Sequence, residues 1–180
     1  MATLLFVTDT WGQHATLDPL LDRLKVHFEH LMVLDPYSGQ RFAFDQEADA
    51  RAYFDRRCSA AVYQDKVRSL LLTAPAPLFI LALGAGADAT APLLTEPDTG
   101  RRVARAALGF GQTVPAPAAC PTLWLSNSKI AMEPTQSCTL KQTDAVTLTP
   151  RAPGYDAAQA DLAAQQVLDW LCQDSTAVTS

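Results

Sequence analysis

The chain has 180 residues, 48% of them hydrophobic and 18% charged, with a formal net charge of −5 and no cluster of Lys or Arg. That length suits a single domain with its own core, and the acidic balance speaks against nucleic acid and anionic membrane surfaces as partners. No apolar run approaches the roughly 20 residues that cross a bilayer, and the start at Met1–Phe6 has no basic region of a signal peptide.

Cys58, Cys120, Cys138 and Cys172 are too dispersed for a zinc site or a disulfide framework, so reduced thiols in a cytoplasmic protein are expected, with no metal and no cofactor. Leu4–Val7 is a short run apolar on both faces, which predicts a buried parallel strand, and the polar turn Thr8–Gly12 ends it. Leu17, Leu20, Leu21, Leu24 and Phe28 then recur at helical spacing, with Thr16 or Asp18 placed to cap and Pro19 in the first turn. Leu31–Leu34 predicts a second strand, closed by the turn signal Asp35–Gly39.

A helical stretch runs from about Asp45 to Thr73, with a break near Ser59, and stops at Ala74–Pro77. Leu78–Leu83 is the most apolar segment and is placed at the centre of the sheet. It feeds Gly84–Asp88 and a short helix through Leu94. Val103–Leu108, Leu123–Leu125 and Ala145–Leu148 complete the set of strands. A helix from about Asp156 to Cys172 carries Leu162, Val167, Leu168 and Leu171 on one stripe, and residues 174–180 form a frayed tail. Alternation of helices with buried strands predicts one α/β domain over residues 1–173. It is a three-layer sandwich whose mostly parallel, six-stranded sheet carries helices on both faces, with functional loops at the carboxyl ends of the strands.

The hydrophobic strand Phe79–Leu83, followed by Gly84-Ala85-Gly86-Ala87-Asp88 and a helix, resembles the G-x-S-x-G turn of the α/β-hydrolases. Read in order, the remaining pieces resemble a reduced member of that superfamily, in the layout of small dienelactone-hydrolase-like proteins without a cap domain. The resemblance implies a nucleophile position at Gly86, which has no side chain with which to attack. It implies a base position at Pro153, which can neither accept nor donate a proton. Only Glu133 offers a carboxylate near the acid position, late in the loop after Leu123–Leu125. The loop that supplies an oxyanion amide reads Asp9-Thr10-Trp11-Gly12, and a carboxylate there opposes the charge it should stabilise.

No catalytic residue is therefore assigned. The clustered loops nominate Asp9, Thr10, Trp11, Gly86, Ala87, Asn127, Lys129 and Tyr155 as lining a ligand pocket. The function implied is a pseudo-hydrolase binding a small ligand or a protein partner, with a homodimer left open. The alternative is an ester or lactone hydrolase working through atypical groups in the same cleft. Gly84-x-Gly86-x-x-Ala89 also matches a dinucleotide fingerprint, but on the third strand and with no acidic residue at the end of the next. His14 reads as a solvated loop histidine ahead of a base paired with Asp9. Asp88 reads as a helix cap. Cys58 and Cys172 are expected inside helices and Cys138 as an exposed thiol.

Overall fold

The structure is a computed structural model and describes residues 2–114, 116–126, 138–142 and 148–173. Strands β1 (Thr3–Val7), β2 (His30–Leu34), β3 (Leu78–Leu83), β4 (Val103–Gly109), β5 (Thr122–Ser126) and β6 (Cys138–Gln142) form one sheet. Their order is β2-β1-β3-β4-β5-β6, and all five pairings are parallel. β1 is buried along its whole length, as a strand apolar on both faces must be.

Successive side chains of a strand point to opposite faces, and the core divides accordingly. Leu5, Val7, Ile80, Ala82 and Leu108 face α2 (Glu47–Arg57), α3 (Ala60–Thr73) and α4 (Ala85–Thr95). Leu4, Phe6, Leu81, Leu83 and Leu125 face α1 (Asp18–His27) and α6 (Ala157–Leu171). A four-residue α5 (Pro97–Gly100) leads into β4. No described helix is long and apolar enough to cross a membrane.

The predicted break at Ser59 is present: this residue takes φ 64° between α2 and α3, and its hydroxyl accepts from Val62 N at 3.5 Å. Asp156 caps α6 through a 2.9 Å bond from Gln159 N. Thr16 does not cap α1; its hydroxyl bonds the ring of His14 instead.

Among the described residues the sixth strand is Cys138–Gln142, which the sequence reading left out; of the expected strand Ala145–Leu148, residues 145–147 lie outside the described residues, and Leu148 is buried without being in a strand. Two further expectations are corrected. Leu162 is 58% exposed, because α6 turns Ala160, Ala163, Ala164, Val167, Leu168 and Leu171 to the sheet, and Leu162 falls off that stripe. Cys172 sits just past the end of α6 and is exposed.

Candidate functional site

β1 and β3 lie side by side although β2 intervenes in sequence, so the strand order reverses between them. At such a switch point the loops at the carboxyl ends diverge and leave a crevice. β3 leaves its last residue, Leu83, and turns sharply into α4 through Gly84, which has φ 55° and ψ −122°. That region of backbone space is open essentially to glycine alone. The left-handed residue of the turn is thus Gly84, and Gly86 lies in the first turn of α4 with helical backbone. The resemblance put the nucleophile position of the turn at Gly86; the positive φ of the turn is at Gly84 instead. Gly86 is needed small for another reason: a Cβ there would stand 2.6 Å from both Val7 O and Thr8 O, so its absence lets α4 settle on the end of β1.

Asp9, two residues beyond β1, reaches across the switch point. Its Oδ1 accepts hydrogen bonds from Thr10 N at 2.7 Å and Ala85 N at 2.9 Å. The carboxylate fills the space beside Gly84, where any Cβ would overlap it. Burial raises the Asp9 carboxyl above its ordinary range, outweighing the two amide bonds and the charge of Arg51; Glu47 pushes the same way as burial.

The surrounding scaffold holds this loop tightly. The buried Tyr63 hydroxyl donates to Thr8 O at 2.8 Å and lies 3.2 Å from Leu34 O, tying α3 to the ends of β1 and β2. The Tyr37 hydroxyl donates to Thr10 O, and Asp35 accepts from Tyr37 N at 2.7 Å, Gly39 N at 2.9 Å and Gln13 Nε2 at 2.8 Å. Beside the elbow an open cleft of about 320 Å3 is lined by Ala85, Asp88, Arg51, Gln64 and Gln112.

The other nominated residues fall in different places. Thr10 and Trp11 are buried, and Ala87 belongs to the core under α4. Tyr155 lines a second cleft of about 290 Å3, between α1 and α6, with Thr16, Leu20 and Arg23. Pro153 is exposed, and the adjacent Gly154 has φ 76°. Asn127, Lys129 and Glu133 lie outside the described residues, as does the Cys138 side chain. The segment before α6 nonetheless comes to the same end of the sheet, since Arg151 lies 3.7 Å from Asp45 and its charge acts on His14.

His14 is neither solvated nor paired with Asp9. It is 6% exposed, with Nδ1 bonded to Thr16 and Nε2 without a partner among the described residues, and burial first, then Arg151 and Arg41, lowers its pKa against a smaller opposing effect of Asp18. Asp88 does not cap its own helix; its Oδ1 accepts from Gln112 N and Thr113 N, each at 2.7 Å, and so fastens the loop after β4. Gly84, Ala85 and Tyr63 were missed from the sequence. Their part depends on a backbone angle, an amide direction and a contact between distant segments, none of which leaves a residue pattern.

A protein from Klebsiella pneumoniae subsp. pneumoniae, described as a dienelactone hydrolase, superposes on this chain with a TM-score of 0.61 over 96% of this chain and 87% of its own, at 13% identity. The chain has an α/β-hydrolase fold. Two further similar structures are a cutinase-like protein from Cryptococcus sp. (TM-score 0.47, 14% identity, 94% of this chain and 91% of that one) and YahD with malic acid (TM-score 0.45, 14% identity, 95% and 94%). No protein-family model and no curated protein matches the sequence. At such identities the α/β-hydrolase fold alone is shared, and the chemistry must be argued from the residues of this chain.

Proposed function

We propose that this chain is a pseudo-hydrolase, an α/β-hydrolase-fold protein that performs no acyl transfer and acts by binding a small ligand or a protein partner. The observation that carries the reading is the Asp9 carboxylate, bonded to both Thr10 N and Ala85 N and filling the space beside Gly84. In this fold the nucleophile stands on the strained strand-to-helix turn. The oxyanion is received by the amide of the following residue together with one from the loop after the first strand of this arrangement. The strained residue here is Gly84, which shifts the nucleophile position from Gly86 to Gly84 and leaves it equally bare. The two amides already hold an oxygen of the Asp9 carboxyl group. While Asp9 is ionised, a second anion about 4 Å away would be repelled by about 4 kcal/mol at an effective dielectric constant near 20, which opposes the transition state.

An atypical ester or lactone hydrolase draws support from the open cleft beside Ala85. Its natural attacking group would be Asp9, yet that carboxylate is held by the very amides needed to receive the oxyanion, so this reading ranks second. A dinucleotide phosphate at Gly84–Ala89 would meet the same carboxylate and is disfavoured on the same ground.

The test is labelling with a serine-directed fluorophosphonate, read by intact mass. Wild type and Gly84→Ser are both expected to remain unlabelled, since a serine at position 84 collides with Asp9 and the amides that would receive the oxyanion are taken by the same carboxyl group. One equivalent of label on the wild-type chain would overturn the proposal.

A further inference from the structure

We infer that the cleft between the turn after β2 and helices α2 and α3 is a binding site for a small organic anion carrying a flat ring. The cleft measures about 310 Å3 and shares no lining residue with the cleft beside Ala85; Tyr37, Tyr53, Arg57 and Lys66 form its body, and Ser38 and Gln40 its lip. Among the described residues no carboxylate lines it. Among the described residues neither Arg57 nor Lys66 has an ion-pair partner.

Each cation is held at the wall by contacts that leave it able to bind an anion. Arg57 stands over the Tyr53 ring, 5.9 Å from its centroid, an arrangement that orients a guanidinium while leaving its N–H donors available. Lys66 Nζ donates one of its three hydrogens to Pro36 O at 3.2 Å. Behind the turn, Asp35 has its oxygens engaged by Tyr37 N, Gly39 N and Gln13.

The aromatic side of the cleft is equally rigid. Tyr37 and Tyr53 meet edge to face at 5.3 Å, and Phe42 and Phe44 back them, with Phe42 4.8 Å from Tyr53. Four packed rings fix the two tyrosines that line the cleft, Tyr37 nearly buried and Tyr53 half-buried, so the ring edge a planar ligand meets is preformed at little cost in ordering. The lip is strained: Ser38, a non-glycine, has φ 55° and precedes Gly39 at φ 83°. Such backbone persists where its surroundings over-determine it, and it accompanies ligand sites. Two cations beside an aromatic wall select an anionic headgroup joined to a ring, and neither part alone uses the whole cleft.

The experiment is titration of the whole chain with phenyl phosphate, followed by amide chemical shifts of the residues around the cleft, with inorganic phosphate and phenol as separate arms. Saturable binding of phenyl phosphate is expected, at least about tenfold (~1.4 kcal/mol) tighter than either fragment. The double variant Arg57→Gln/Lys66→Gln should lose at least about tenfold in affinity while keeping its circular dichroism and melting temperature, and added salt should weaken wild-type binding. Tyr53→Leu provides a second variant that keeps Lys66 and removes the ring. Absence of saturation at millimolar phenyl phosphate, undiminished binding in the folded double variant, or equal binding of either fragment would each overturn the inference. None of these outcomes depends on whether the elbow is catalytic.

Discussion

Gly84 and Asp9 constrain each other. Glycine at position 84 permits the backbone angles of the elbow, and its missing side chain leaves room for the carboxylate that receives the Ala85 amide. Gly84→Ala should cost about 1–3 kcal/mol from backbone strain, with overlap against Asp9 adding to it. In an Asp9→Gly background the overlap disappears, so urea unfolding of the two single variants and the double variant should give a coupling of at least about 0.5 kcal/mol; strict additivity would contradict the contact.

Asp9 also makes a pH signature. Burial raises its folded carboxyl pKa, so its contribution to stability is full below the unfolded value of about 3.9 and is lost as pH rises through the folded one. Asp9→Asn retains an oxygen for both amides and removes that loss. The variant's gain in unfolding free energy over wild type should be largest at neutral pH and shrink on acidification. A gain that grows as pH falls would show that charge, not burial, dominates at this position.

Helix α3 is fixed at its start by an unusual residue and in its first turn by a buried hydroxyl. Ser59 sits at φ 64°, so Ser59→Gly should be neutral or stabilising by a few tenths of a kcal/mol, the relief of strain offsetting a weak cap. Ser59→Val should cost about 1–3 kcal/mol, measured by chemical denaturation. Tyr63→Phe leaves Thr8 O without its donor inside the core and should cost about 1–2 kcal/mol while preserving the fold.

The elements themselves were largely legible. Leu4–Val7 and Leu78–Leu83 are apolar on both faces because helices cover both faces, and the pattern states as much. β6 escaped notice because Cys138-Thr139-Leu140-Lys141-Gln142, paired among the described residues with β5 alone and with Lys141 exposed, carries no continuous apolar run. Leu148 misled for the opposite reason: burial does not require a strand. On α6 the alanines form the sheet-facing stripe, since small side chains let a helix approach closely, whereas the reading by large residues chose Leu162.

At the scale of the whole molecule, parallel strands in the order β2-β1-β3-β4-β5-β6 put the loops after β1 and β3 at one switch point. The alternation of strands and helices gave the mostly parallel sheet and the loops at the carboxyl ends of its strands, but not the strand order. The position of the elbow did not, because Gly84, Gly86 and the residues between them fit the motif in more than one frame, and only the dihedral angles of Gly84 choose between them. The nominated loops also divide more finely than expected. Asp9 lies at the elbow, Tyr155 in the cleft between α1 and α6, and Thr10 and Trp11 are buried.

An elbow with no nucleophile and an amide pair already occupied is the central claim, and catalysis is where it is most exposed. The most direct measurement is steady-state hydrolysis of p-nitrophenyl acetate and butyrate by the purified chain, side by side with Asp9→Asn. The account predicts that both proteins give the background rate of buffer, with no saturation in substrate. Saturable turnover by the wild type that is abolished in Asp9→Asn would contradict it, and would make Asp9 the attacking group of an atypical hydrolase.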